Sequence, residues 1–214
     1  MPSHRRPFPL LLALGPFAIP IAAALYLRAR WNEIPERFPV HWGMHGKPDG
    51  WACRSVNSVG GPLIFAAGLM TLLLLLAVAL HYGSRPSPQL LSVVKVLAIV
   101  MYFLGAVFSG VALMPLLHIS PLVLVAALPL LIIAILILAV RQSAGPGAPV
   151  ETTPDEAWRL GFIYYNPQDP ALFVPKRYGL GYTFNFGRRL AWIVLTCFVV
   201  GLVNLVLFLV SVMK

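Results

Sequence analysis

The feature that most constrains this chain is the blocking of its apolar residues. Apolar runs cover roughly Phe8 to Leu27, Pro62 to Tyr82, Leu90 to Leu117, Pro121 to Val140 and Leu190 to Val212. Each is close to the roughly twenty residues a helix needs to cross about 30 Å of hydrocarbon. The chain is 59% hydrophobic and 11% charged over 214 residues, where a soluble domain carries about 25% charged residues. No sizeable water-soluble core fits that balance. The expected fold is an all-α polytopic membrane protein of about five transmembrane helices. A short extracytoplasmic loop and a small cytoplasmic helix and β-hairpin insertion would connect them.

Two long connections organise the chain. Residues 1–140 form a four-helix membrane domain that carries the outer loop 28–61. Residues 141–189 form a cytoplasmic linker, short helix and hairpin, and 190–214 the fifth helix. The first run follows Arg5 and Arg6, as a signal peptide would, but Leu25-Tyr26-Leu27-Arg28 is no small-residue cleavage site, so it reads as a retained helix. Pro16 and Pro20 should bend it, because each removes a backbone donor. The tight links GSRPSPQ and HISP make the second, third and fourth helices antiparallel neighbours.

The net charge of +9 does not point to nucleic acid, since no basic helix or nucleic-acid-binding motif accompanies it. In a membrane protein, basic residues instead set orientation. With the N-terminus in the cytoplasm, ten of the sixteen Lys and Arg lie inside and six outside. The localisation expected is the bacterial plasma (inner) membrane with a cytoplasmic N-terminus. Cys53 and Cys197 fall in a loop and in an apolar run, and are not expected to pair. Intramembrane polar residues are few. Lys95 snorkels, His81 and His118 lie at helix ends, and Asn204 is expected to bond to a neighbouring helix. No row of acids or histidines crosses the bilayer, which disfavours an ion-coupled transporter.

Chemistry-bearing residues gather in the two loops. In the outer one, FPVHWGMHGKPDGW, Val40, Trp42 and Met44 alternate with His41, Gly43 and His45 as in a strand. Gly46-Lys47-Pro48-Asp49-Gly50 reads as the turn that follows, because Pro fixes φ and Asp-Gly tolerates positive φ. Trp31, Trp42 and Trp51 suit the membrane interface. His41 and His45 are too far apart on a strand, about 13 Å, to share a metal unaided. A bend that brings Asp49 near either makes His41, Asp49 and His45 a candidate zinc site, which wants at least three protein ligands with outer-shell partners.

In the inner loop, Thr153-Pro154-Asp155-Glu156 reads as the start of a brief helix ending at Gly161. ALFVPKR and YTFNFG then read as a β-hairpin, with Pro175 on an edge. Lys176, Arg177, Arg188 and Arg189 make a basic rim suited to anionic lipid at the inner face. Its glycines lack the strand and helix context of a phosphate-binding loop.

Both segments carry a resemblance. Pro35, Pro39, His41, Trp42, Gly46, Pro48, Asp49 and Trp51 fit a loop pattern of a bacterial membrane domain of unknown function, which is found in SdpI-type immunity proteins. YYNPQDPALFVPKRYGLGYTFNFGRRLAW is similar to a second uncharacterised bacterial domain, and the two occur together in some bacterial proteins. The first resemblance implies a membrane protein of sensing or immunity type, which meets a peptide or ligand outside and a protein partner in the cytoplasm. The SdpI-type proteins carry more spans than this chain. His45 falls where the motif is open. Recognition residues are then expected at His41, Trp42, Gly46, Pro48, Asp49 and Trp51 outside. Inside they are expected at Tyr165, Asn166, Asp169, Lys176, Arg177 and Asn185. No catalytic set beyond the outer His and Asp is evident. The two other readings are a metal-binding membrane enzyme built on that loop and a small transporter.

Overall fold

The structure, a computed structural model, describes residues 7–43, 47–85, 88–118, 129, 133, 137, 153–178 and 181–212. Four helices among these are long and apolar enough to cross a membrane: Leu10–Ala29, Val56–Gly83, Leu90–Leu117 and Arg189–Leu207. The expected span Pro121–Val140 lies outside the described residues apart from Pro129, Ile133 and Ile137.

The first span is broken where its prolines predict a bend. Helix α1 (Leu10–Leu14) passes through a 3-10 turn at Gly15–Phe17 into α2 (Ala18–Ala29). Pro16 and Pro20 are both buried, so the freed backbone faces protein and not lipid, as a hydrocarbon environment requires. Helix α3 (Val56–Gly83) starts well before Pro62, the expected boundary. A capping box explains the early start. Ser55 Oγ accepts the Ser58 N–H at 3.0 Å, and Ser58 Oγ accepts the Ser55 N–H at 3.0 Å. Helix α4 (Pro88–Leu117) returns antiparallel to it, and α5 (Arg189–Val212) also packs on α3.

At mid-bundle, Ala66 and Met70 of α3 meet Ala98 and Met101 of α4, all fully buried. Small residues let the backbones approach where no hydrophobic effect separates protein from lipid. Among the described residues, Asn204 does not reach a neighbouring helix. Its Nδ2 donates to the Val200 carbonyl of its own helix at 2.8 Å, and the side chain is exposed. A short amide can satisfy one N–H on the carbonyl one turn back without any neighbour. Cys53 and Cys197 are both free.

Non-helical structure sits at the two ends of the α3–α4 pair. At one end, β1 (Arg37–Trp42) and β2 (Pro48–Cys53) form an antiparallel hairpin. Ile34 and Phe38 below it pack with Leu27, Val59, Leu63 and Ala112. At the other end, β3 (Trp158–Arg159) pairs with β4 (Ile163–Tyr164), and β5 (Phe173–Pro175) with β6 (Tyr182–Phe184). Here Leu172 and Phe173 pack with Leu80, Leu90 and Ala191. The Leu172 N–H donates to the Gly83 carbonyl at 2.7 Å, which extends the last turn of α3 into the module.

The β5–β6 hairpin is where the sequence puts it, and Pro175 is its last β5 residue, paired with Tyr182. The brief helix up to Gly161 is not formed. Only a 3-10 turn, Asp155–Ala157, follows Pro154, and Trp158 already belongs to a strand. Thr153 Oγ1 accepts the Trp158 indole N–H at 2.9 Å. Leu160 (φ 51°) and Gly161 (φ 78°) then turn the chain back. This left-handed pair belongs to a tight hairpin and is incompatible with a helix.

Candidate functional site

The outer hairpin presents one polar pair. His41 Nδ1 and Asp49 Oδ1 are 2.5 Å apart, with side chains 71% and 51% exposed. Three features of the backbone create that contact. Pro48 opens β2, a position where a missing donor is tolerated. Gly50 lies opposite His41, where a side-chain Cβ would come within 2.8 Å of the histidine Cβ. Register shifts flank His41 on both sides, and such bulges re-aim side chains. Pro48-Asp49-Gly50 is therefore strand rather than turn. The chain reverses closer to the tip, where the Gly43 N–H meets the Lys47 carbonyl at 3.0 Å.

Other expected residues take supporting places. Trp42 is half-buried and paired with Pro48. Trp51 is exposed, paired with Pro39, and the Arg37 guanidinium lies 5.7 Å over its ring. Gly46 and His45 lie outside the described residues. With Nδ1 engaged by Asp49 and the side chain 71% exposed, Nε2 has no partner among the described residues. That is the arrangement in which a carboxylate orients a histidine for a metal or an acidic hydrogen. Asp49 then serves as an outer partner of the imidazole. Among the described residues no group of three or more His, Cys, Asp or Glu comes together.

The hairpin stands on a residue that sequence reasoning passed over. Arg54 Nη1 donates to the carbonyls of Trp31 (3.2 Å), Asn32 (3.3 Å) and Ile34 (2.8 Å). Its own N–H reaches the Glu36 carbonyl at 2.8 Å. One guanidinium thus joins the way into the hairpin to the way out. The available signal was an arginine directly before the Ser55–Ser58 helix start.

Inside, the expected residues separate into two groups. Asn166, Asp169 and Asn185 converge. Asn185 is fully buried, and its Nδ2 lies 2.8, 3.2 and 3.1 Å from the carbonyls of Asn166, Asp169 and Ala171. Its Oδ1 accepts the N–H groups of Asn166 (3.0 Å) and Gly187 (3.1 Å). Asp169 is buried as well. It accepts the Tyr164 hydroxyl at 2.9 Å, the Ala171 N–H at 2.9 Å and Arg85 Nη2 at 3.2 Å. Burial, more than the neighbouring Asp169, pushes the Tyr164 phenol above its ordinary range. Gly187 is held against the Asn166–Pro167 backbone so closely that a Cβ would sit at 2.6 Å. The YYNPxDP and NFG stretches are thus two halves of one polar knot, which Arg85 ties to the α3–α4 turn.

The second group is exposed. Tyr165 lies under the Arg159 guanidinium at 4.4 Å, and Arg177 pairs with Asp155 at 2.9 Å. Lys176 is exposed beside it. Tyr164 and Arg85 were not singled out from the sequence, although Tyr164 opens the motif that contains Asn166 and Asp169.

Comparison with known families meets these two places. Residues 18–66, which include α2, the outer hairpin and the start of α3, match a domain of unknown function, DUF1648. Residues 167–192, the second half of the inner knot and the first turn of α5, match a family of unknown function, DUF5808. Neither curated proteins nor solved structures give a match. Apolar helices and two domains of unknown function describe a multi-pass membrane protein.

Proposed function

We propose that this chain is a non-enzymatic membrane protein of the sensing or immunity-like type. It would bind a ligand or peptide at the outer face and couple to a cytoplasmic partner. The observation that supports this most is the pairing of the two loop modules. The hairpin that exposes His41 and Asp49 is rooted on Val59, Leu63 and Ala112, while the inner module is rooted on Leu80 and Leu90. The same two helices therefore carry both roots at opposite ends, which is the physical continuity that coupling needs. In this reading the chain has five spans, with Pro121–Val140 the fourth. It lies in the bacterial inner membrane with the N-terminus and the basic rim in the cytoplasm. The link to SdpI-type proteins rests on the outer-loop motif.

A photo-crosslinking amino acid at Val40, exposed beside His41, tests the reading on intact cells exposed to their own spent culture fluid. We expect a discrete adduct that falls several-fold with Asp49→Asn. An unchanged adduct pattern in that variant, or no adduct, would remove the outer hairpin as a recognition site.

A second reading has one specific support, a carboxylate-oriented histidine whose Nε2 has no partner among the described residues. It makes the hairpin a metal-binding element, in which His41 would ligate zinc and Asp49 would hold the ring. About one zinc per purified chain, lost in His41→Ala, would favour it over the first.

A further inference from the structure

The outward face of α5 carries one feature that lipid cannot satisfy. Gly201 and Leu205 face α3, against Leu72 and Gly68. Round the helix from them lie Ile193, Cys197, Val200, Asn204 and Leu207, all exposed. Their spacing is four, three, four, three, so they form one continuous seam of the kind that packs helix against helix. Four of them are apolar or thiol. Asn204 is the exception, and it lies inside the hydrocarbon, about 12 Å of helical rise from the end at Val212.

The amide has one oxygen acceptor and two N–H donors. One N–H is used on the Val200 carbonyl, and that bond is the amide's sole hydrogen bond among the described residues. The side chain is exposed, so within hydrocarbon the remaining oxygen and N–H meet no water. The run 121–140, PLVLVAALPLLIIAILILAV, has no side chain that donates or accepts a hydrogen bond, so it offers nothing to the amide oxygen. A second Asn204 offers both missing partners. Each amide donates one N–H and accepts one, so the pair is self-complementary. Copies inserted in the same orientation are related by a twofold axis along the membrane normal. That axis sets each seam residue against its own counterpart. A single Asn in an otherwise apolar seam is also the device that fixes register and partner number in helix pairs.

We propose that the Ile193–Leu207 seam of α5 is a homodimer interface, in which the Asn204 amides of two copies bond reciprocally across the twofold axis. Cys197, two turns before Asn204, then faces Cys197 of the second copy.

The test uses full-length protein in native membranes, with Cys53→Ser and two differently tagged copies co-expressed. Oxidation with copper–phenanthroline should give a dimer that contains both tags, absent with Cys197→Ser. The yield should fall at least five-fold when a Val199→Cys change replaces Cys197 as the only cysteine. Asn204→Leu keeps the helix apolar and should reduce the Cys197 crosslink several-fold, while Asn204→Gln should largely restore it. Three results would each overturn the proposal. One is a Cys197 crosslink equally strong in Asn204→Leu. Another is no dimer under oxidation. The third is an intramolecular bond from Cys197 to a cysteine introduced in 121–140, which would make the chain's own fourth span the occupant.

Discussion

The outer hairpin and the inner module are both short β structures at the ends of one helix pair, and both hold the densest polar motifs of the chain. They use those residues in opposite ways. The hairpin is rooted through Phe38, with Ile34 just before it, and leaves His41 and Asp49 in the open. The module turns its polar residues inward, with Tyr164 and Asn185 fully buried and Asp169 nearly so. A buried polar group must be paired, whereas an exposed one is free to meet something else. Equal motif density therefore means different things. In the module it specifies a fold, and in the hairpin it leaves a surface with chemistry to spare.

That contrast can be broken by substitution. The largest effect should come from Asn185→Leu, which strands the Asp169 and Ala171 carbonyls and the N–H groups of Asn166 and Gly187, while the Asn166 carbonyl keeps the Asp169 N–H. At about 1–3 kcal/mol for each buried unpaired group, the module should lose upwards of about 4 kcal/mol. Rapid proteolysis between 153 and 189 in membranes is the expected readout, and wild-type resistance would refute the knot. Phe38→Ala comes next, at about 3 kcal/mol for emptying a buried aromatic site. It should raise hydrogen exchange across β1 and β2 while the inner module keeps its protection. Gly187→Ala should cost about 2 kcal/mol, since the new Cβ meets the Asn166–Pro167 backbone, which cannot yield like a flexible side chain.

A smaller effect is a pH dependence confined to the inner end. The folded state holds the Tyr164 phenol above its ordinary range, chiefly by burial. Below about pH 10, the ordinary tyrosine value, this stabilisation is fully present. As pH rises beyond that value the unfolded chain ionises first, and the stabilisation is lost. Thermal melts at rising alkaline pH should show the module loosening before the hairpin, with a weaker trend in Tyr164→Phe. Parallel curves for the two regions would count against it. Least of all, Asp49→Asn should change stability by no more than about 0.5 kcal/mol, as for exposed pairs. A shift well beyond that in the same melt would give the outer pair a structural role and blur the contrast.

Much of the architecture was legible because hydrocarbon is an undiscriminating solvent. It demands long apolar helices, and three of the expected runs, at Phe8, Leu90 and Leu190, reappear close to their boundaries. The early start of α3 was missed because the Ser55–Ser58 capping box outweighs a proline inside the first turns. The loops were legible in kind but not in detail. Asp49 was expected near a histidine, yet its turn proved to be a strand. Nothing local to Pro48-Asp49-Gly50 shows that His41 lies across from it. Tyr164 and Arg85 escaped notice because their partner, Asp169, is reached only through the fold.

The sequence by itself determined that this protein belongs in a membrane and where its chemistry concentrates, because both follow from residue type and spacing along the chain. Only the tertiary structure decided which polar residues face water and which face each other. Burial and hydrogen-bond partners belong to contacts across 84 residues, as between Arg85 and Asp169, and no local pattern of side chains encodes them.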